Sequence, residues 1–121
     1  MLARRNRAPY AERLRAHEAL LGRGARRLVE ICAALGDVRA VYAFGSYATG
    51  FVRLRSDLDA LVVRETALRR ADRDLDIRRA FDVPVALDVI VVTPDEFKRS
   101  LPSSSFGQTI LKTAKRLDAA E

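Results

Sequence analysis

The sequence has few of the side chains that form disulfides or bind soft metals. Its 121 residues include one cysteine, Cys32, and one histidine, His17. A single cysteine excludes an internal disulfide, and it supports neither a cysteine zinc cluster nor an extracellular disulfide framework. A single histidine argues against a histidine-based metal site or nucleophile. We expect His17 to be an exposed residue of a helix.

Long apolar runs are also lacking. No stretch approaches the roughly 20 apolar residues of a membrane span, and no apolar core follows the basic start as it would in a signal peptide. We therefore expect a cytoplasmic protein without a membrane segment. A chain of 121 residues and 13.5 kDa buries about two-thirds of its unfolded surface, which is enough for one core and leaves no room for a second domain.

Acidic residues are outnumbered, and the excess of basic residues is uneven. The net charge is +6, and residues 1–30 hold eight arginines against three glutamates. Such a basic face could bind nucleic acid through phosphates, or attract an acidic protein partner or a nucleotide. Tyr10 is the only aromatic residue in that segment. Base-stacking platforms are therefore scarce, and nucleic acid is not expected to be the main partner.

Short apolar stretches typical of strands alternate with helical patterns along the chain. Gly22 and Gly24 predict a break or kink in the first helical stretch. This break would separate a basic helical extension over residues 1–24 from a domain over residues 25–121. A serine-capped final helix is predicted over residues 106–117. The predicted fold class is α/β, a small mixed β-sheet with helices packed against it.

A glycine-serine turn follows the first predicted strand. Residues 40–44 are apolar, and Gly45-Ser46 comes where that strand must turn sharply into a helix. The turn would offer free backbone N–H groups, a hydroxyl and a helix N-terminus, which together favour binding of a triphosphate. Gly-Ser pairs are also common in ordinary turns. The position of this pair just ahead of a carboxylate-bearing strand favours the phosphate interpretation.

Two carboxylates begin the second predicted strand. Asp57 and Asp59 precede an unbroken apolar run over residues 60–63, and the two-residue period of a strand places both on one face. They would lie roughly 7 Å apart along the backbone, where they could share divalent cations about 3.5–4 Å apart. A capping or turn role for Asp57 is the alternative.

A third carboxylate, Asp88, lies inside the apolar run of the next predicted strand, residues 85–92. An ionised carboxylate in such a run costs several kcal/mol unless a partner compensates its charge. A metal ion would provide that compensation, and so would a buried salt bridge to one of the arginines. Asp82 is the nearest competitor, but it lies in the predicted loop before the strand.

Other acidic and basic residues are compatible with ordinary surface roles. Asp72, Asp74 and Asp76 alternate with arginines at helical pair spacings within residues 67–81, which predicts a solvated, salt-bridged helix. Arg53 and Arg55 lie between the turn and the carboxylate strand. Their guanidinium groups could bind a triphosphate tail in a bidentate manner, and a surface role is equally compatible with the sequence.

Taken together, Gly45-Ser46, ten intervening residues, Asp57-x-Asp59 and the later Asp88 resemble the motif of a known family. The family is the minimal nucleotidyltransferase branch of the polymerase-β-like nucleotidyltransferase superfamily, and the resemblance covers about residues 25–117. Members commonly end in a last short strand. Residues 114–118 contain few strand formers, so we expect the sheet to lack that edge.

The resemblance implies a site and a reaction. Two magnesium ions would be held by three carboxylates, and the nucleotide tail would lie at the turn and the two arginines. The implied catalytic and metal-binding residues are Asp57, Asp59 and Asp88, and the implied nucleotide-binding residues are Gly45, Ser46, Arg53 and Arg55. Asp88 could also accept the proton of the attacking hydroxyl. The group transferred would be a nucleoside monophosphate, with release of pyrophosphate.

The resemblance further implies a partner. Members of this branch are antitoxins that transfer AMP from ATP to a tyrosine of a HEPN-type ribonuclease toxin, so a hetero-oligomer is expected. The alternative is a non-catalytic nucleotide-binding antitoxin that neutralises its partner by occlusion. Transfer to a small molecule is a third interpretation, which the absence of an acceptor domain disfavours. The base preference stays open.

Overall fold

A computed structural model describes residues 9–119, in which helices and strands alternate. The helices and strands are α1 (Tyr10–Leu35), β1 (Val38–Phe44), α2 (Gly45–Thr49), β2 (Leu58–Arg64), α3 (Leu75–Ala80), β3 (Leu87–Val92), α4 (Ser105–Thr113) and β4 (Lys115–Arg116). Short helical turns cover Arg70–Asp72, Glu96–Ser100 and Leu101–Ser103. None of the helices within the described residues combines the length and apolarity that crossing a bilayer requires.

The four strands form one mixed sheet in the order β3-β2-β1-β4. β1 is antiparallel to both β2 and β4, whereas β2 and β3 are parallel. A parallel pair needs a crossover connection, and the segment containing α3 provides it. The register aligns Phe44 with Asp59, and Asp59 in turn with Asp88. The sheet therefore brings the end of β1 and the starts of β2 and β3 to the same edge.

The central strand β2 is buried on both faces of the sheet. Ala60 and Val62 join a cluster that includes Leu28 of α1 and Ile77 of α3. On the opposite face, β2 joins a second cluster with α4 and the turns that follow β3. Burial on both faces explains the continuous apolar run, because neither side of the strand meets water. The predicted α/β class, a mixed sheet with helices packed against it, is confirmed.

The predicted break at Gly22 and Gly24 is wrong, because α1 runs without interruption through both glycines. A Cβ atom at Gly24 would lie 3.2 Å from Phe81 Cζ and 3.2 Å from Val85 Cγ1. Gly24 therefore allows the helix to approach the segment before β3 closely. That packing outweighs the cost of about 1 kcal/mol of a glycine in a helix interior.

The predicted arginine-aspartate helix is also different in the structure. Residues 67–81 form a short helical turn and then α3, rather than one helix. Asp74 pairs with Arg78 at 2.5 Å, as its spacing predicted. Asp76 instead pairs with Arg64 at the end of β2, at 2.7 Å. Because the Asp76 carboxylate binds Arg64 at the sheet, residues 67–81 pack against the guanidinium group instead of forming one solvated helix.

The expectation that the sheet lacks a last edge strand is wrong as well. α4 ends at Thr113, earlier than predicted, and β4 then pairs with β1. The N–H of Leu117 donates to the carbonyl of Val41 at 2.8 Å, and the N–H of Val41 donates to Asp118 Oδ1 at 3.0 Å. These hydrogen bonds, one of them to a side chain, fix the edge despite the low strand propensity of the residues.

Arg64 is the main buried ion-pair residue of the fold. Its side chain is 6% exposed. It donates to Asp37 at 2.9 Å and to both carboxylate oxygens of Asp76 at 2.7–2.8 Å. The hydrogen bonds to Asp76 raise the pKa of the guanidinium group, and Arg64 in turn lowers the pKa of Asp76. Arg64 therefore ties the start of β1 and the helix α3 to the end of β2.

We expect Arg64→Met to lower the free energy of unfolding by about 3 kcal/mol, because it leaves two carboxylates without their shared partner. Arg39→Met is the matched control. Arg39 pairs with Glu65 at the surface, its side chain is 63% exposed, and its loss should cost less than about 1 kcal/mol. Urea denaturation followed by circular dichroism measures both. Equal losses in the two variants would contradict this role of Arg64.

Candidate active site

The glycine-serine turn lies where the sequence predicted it, between β1 and α2. The chain is extended at Phe44, and α2 begins at Gly45 with φ at +72°. A Cβ atom on Gly45 would lie 2.4 Å from Asp59 Oδ2. Glycine is therefore needed for two reasons: side-chain-bearing residues rarely adopt this conformation, and the Asp59 carboxylate already occupies the space of the side chain.

The backbone N–H groups of the turn are only partly free. The N–H of Gly45 donates to Thr113 Oγ1, at the end of α4, at 3.1 Å. Ser46 and Tyr47 belong to the first turn of α2, where N–H groups have no intrahelical acceptor. The half-buried Ser46 makes no side-chain hydrogen bond within residues 9–119. The prediction that the turn offers free N–H groups is therefore wrong for Gly45.

The three predicted carboxylates approach one another at this edge. Asp59 and Asp88 are register partners on the parallel strands β2 and β3, so their side chains extend from the same face of the sheet. Asp57 lies two residues before Asp59, next to the start of β2. Asp59 is half-buried, whereas Asp57 and Asp88 are exposed. The apolar run around Asp88 therefore does not bury its carboxylate as the sequence predicted, because this end of β3 is open.

The electrostatics of Asp59 reflect this arrangement. Burial raises the pKa of Asp59 to about 6, and the negative charges of Asp88 and Asp57 contribute to the increase. Asp57 and Asp88 thus both lie within electrostatic reach of Asp59. Ionisation of Asp59 is therefore less favourable than that of an aspartate in water. A cation placed between the carboxylates would reverse that, since its charge favours the ionised form.

The three carboxylates also differ from the other aspartates in having no arginine partner. Within residues 9–119, seven of the ten aspartates of the sequence form a salt bridge with an arginine, namely Asp37, Asp72, Asp74, Asp76, Asp82, Asp95 and Asp118. The remaining three are Asp57, Asp59 and Asp88. In a chain of net charge +6, the aspartates without an arginine partner among the described residues are thus these three.

The donor set fits a divalent cation such as magnesium, which prefers carboxylate oxygens. In the described part of the chain, no three acidic, histidine or cysteine side chains are already arranged closely enough to hold a metal ion. The carboxylates would therefore have to close around an ion by side-chain rotation. Asp57 and Asp88 are exposed and make no hydrogen bond or salt bridge within residues 9–119 that opposes such a rotation.

Arg53 and Arg55 lie in the loop between α2 and β2. Both are exposed, and neither forms a salt bridge with another described residue. The N–H of Arg53 donates to Ser56 Oγ at 2.8 Å, which closes a turn just before Asp57. The guanidinium groups are thus available on the loop that leads to the carboxylates, and their nucleotide-binding role stays a prediction.

Two contacts at the site were not predicted from the sequence. Thr113 caps the Gly45 turn from a helix that lies far along the chain, and no local pattern indicates this. His17 was expected to be exposed, but its ring is half-buried and its Nε2 lies 2.7 Å from the carbonyl oxygen of Ser56. Both contacts depend on how distant segments pack, which explains why the sequence alone did not show them.

We expect Gly45→Ala to lower the free energy of unfolding by about 1–3 kcal/mol more than Gly50→Ala, because only the first places a methyl group against a carboxylate. Gly50 is the matched control: its φ is +86°, and a Cβ atom there has nothing within 4 Å. Both variants bear the strain of a left-handed conformation, about 1 kcal/mol.

The same substitutions made in an Asp59→Ala background complete the experiment. The excess cost of Gly45→Ala should largely disappear there, because the clashing oxygen has been removed. Chemical denaturation of the four variants gives the coupling energy. An excess cost that persists without the Asp59 carboxylate would contradict the contact.

Comparisons with known proteins agree with this architecture. A structure from Sulfolobus solfataricus described as a candidate nucleotidyltransferase is 21% identical, with a TM-score of 0.60, and the match covers 93% of this chain and 89% of the other. A toxin–antitoxin structure with AMP-PNP is 20% identical, with a TM-score of 0.57, and the match covers 80% of this chain and 74% of the other. At these identities the likeness shows the fold alone.

No curated protein matches the chain. The family model of the nucleotidyltransferase domain matches residues 25–118, which is most of the sequence. This match includes the turn at Gly45-Ser46 and all three unpaired aspartates. The chain therefore belongs to the nucleotidyltransferase domain family.

Proposed function

We propose that this protein is a magnesium-dependent nucleotidyltransferase that moves AMP from ATP onto a hydroxyl of a partner protein. The observation that carries the proposal is the group of three aspartates that have no arginine partner among residues 9–119, one of which contacts Gly45. This arrangement supports a cation-binding site next to a turn that suits phosphates. The family match supports nucleotidyl transfer in general, and the choice of AMP and of a protein acceptor belongs to the proposal.

The carboxylates would have distinct roles. Asp57 and Asp59 would hold the metal, while Asp88 on the neighbouring strand would complete the site and accept the proton of the attacking hydroxyl. A bound divalent cation supplies charge neutralisation at the phosphates and lowers the barrier to displacement. The hydroxyl oxygen forms a bond to the α-phosphorus, the bond from that phosphorus to the bridging oxygen breaks, and pyrophosphate leaves with the electron pair.

The turn and the loop would orient the triphosphate. Gly45 lies against the Asp59 carboxylate, so the Ser46 hydroxyl and the N–H groups of Ser46 and Tyr47, which follow it, would lie near the metal. Arg53 and Arg55 would bind the outgoing phosphates, as guanidinium groups do. Positioning and charge neutralisation would thus supply most of the rate enhancement.

A protein acceptor is consistent with the architecture of the described residues. The described residues form one sheet and the helices that cover it. They include no separate domain that could enclose an acceptor. The acceptor would therefore be presented by a partner, which we propose is a HEPN-type toxin. The toxin–antitoxin neighbour supports a module of this kind, and this protein would be its antitoxin.

We expect α-labelled ATP, but not γ-labelled ATP, to label a partner protein co-purified with this chain, because the α-phosphate stays with the acceptor. Labelling should require magnesium and should fall at least about a hundredfold in Asp57→Ala, as expected when a metal ligand is removed. Asp95→Ala is the matched control, since Asp95 is exposed and pairs with Arg99 at the surface. Autoradiography after gel electrophoresis measures the transfer.

A further variant, Asp59→Ala, separates catalysis from occlusion. A non-catalytic antitoxin should neutralise its partner equally well with Asp59→Ala, whereas a transferase should not. Equal labelling by wild type and Asp57→Ala would contradict the proposal, as would neutralisation without any labelling.

A further inference from the structure

The N-terminal half of α1 contacts the loop that carries the first proposed metal ligand. His17 Nε2 lies 2.7 Å from the carbonyl oxygen of Ser56, and the ring is half-buried. Since the acceptor is a carbonyl, the ring nitrogen must be the donor. Ser56 immediately precedes Asp57, so this hydrogen bond acts on the backbone next to that carboxylate.

The backbone is held on both sides of Asp57. On one side, Ser56 closes a turn with Arg53, because its N–H donates to the Arg53 carbonyl at 3.1 Å and its hydroxyl accepts from the Arg53 N–H at 2.8 Å. On the other side, the N–H of Leu58 donates to the carbonyl of Ala86 at 2.8 Å. The turn itself is local and could move as a unit. In the described residues, His17 is the side chain that anchors this turn to a helix by a hydrogen bond.

We propose that His17 is a positioning residue, which fixes Asp57 relative to Asp59 and Asp88 through its hydrogen bond to the Ser56 carbonyl. The proposal rests on the proposed function, since it assumes that the three carboxylates share a metal. His17 lies before residue 25, where the family match begins. The segment ahead of the matched domain therefore contributes to the order of the metal site, a role that its basic composition does not indicate.

Removing the His17 hydrogen bond should resemble the loss of a residue that hydrogen-bonds to a metal ligand. Such a loss typically weakens metal binding by about 10–100-fold. Because the contact is to the backbone beside the ligand rather than to the carboxylate itself, we expect the lower end of that range. Loss of the hydrogen bond should weaken metal binding more than it lowers the free energy of unfolding, because α1 also packs on the sheet through Leu21, Ala25 and Leu28.

The test compares two substitutions in the full chain. His17→Phe keeps a ring of similar size but has no donor, whereas His17→Gln keeps an N–H donor at a similar reach. Glu18→Ala is the control, because Glu18 is an exposed neighbour on the same helix. Binding of Mn²⁺ alone is measured by electron paramagnetic resonance, and thermal unfolding shows that each variant is folded.

We expect His17→Phe to weaken Mn²⁺ binding about tenfold and to raise the KM for metal-ATP more than it lowers kcat. His17→Gln should restore most of the affinity, and Glu18→Ala should bind as the wild type does. Wild-type affinity in a folded His17→Phe would overturn the positioning role and leave the proposed function intact. Equal weakening in the Phe and Gln variants would also overturn it. Failure of the wild type to bind Mn²⁺ would overturn the proposed function together with this inference.

Discussion

The contact between Gly45 and Asp59 is the constraint on which the rest of the site depends. The carboxylate lies so close to the turn that no side chain fits there, and the positive φ of Gly45 makes the approach geometrically possible. A turn that suits phosphates and a carboxylate that suits a cation are thereby joined in one place. The antiparallel register of β1 and β2 produces this contact, and the parallel register of β2 and β3 adds Asp88 beside it.

The arginines of the chain make this concentration of negative charge distinctive. Arg64 and the other paired arginines neutralise aspartates at seven positions within the described residues, both inside the fold and at its surface. Among the aspartates, only the three at the shared strand edge have no such partner within the described residues. The high arginine content therefore helps to identify the candidate site. It distinguishes the aspartates that form ion pairs from the three that we propose bind a metal ion. Of these, Asp59 is half-buried, where a charge without a compensating partner is unfavourable.

Features governed by local sequence were predictable. The apolar runs that became β1, β2 and β3 indicated strands, although β2 begins at Leu58 and Asp57 lies just before it. The predicted order of strand, turn and strand is therefore that of the structure, as is the α/β class. The position of Asp88 beside Asp59 also follows from pairing two buried strands in register, although its exposure does not.

Features governed by long-range packing were not predictable in the same way. Gly24 looked like a helix breaker because the sequence does not show that Phe81 packs against it. The last strand lacks strand-forming residues, and it exists because Asp118 and Leu117 hydrogen-bond to Val41. His17 was expected to be a solvent-exposed helix residue, because the sequence does not show which distant segment it contacts. In each case, the deciding partner lies in a segment distant along the chain.

The central claim is that Asp57, Asp59 and Asp88 together bind a divalent cation beside the Gly45 turn. A crystal structure with Mn²⁺ and a non-hydrolysable ATP analogue, located by anomalous scattering, tests this most directly. The account predicts an anomalous peak about 2.0–2.3 Å from oxygens of all three carboxylates, with the triphosphate at the turn. A peak elsewhere, or one that excludes Asp88 while the nucleotide is bound, would contradict it.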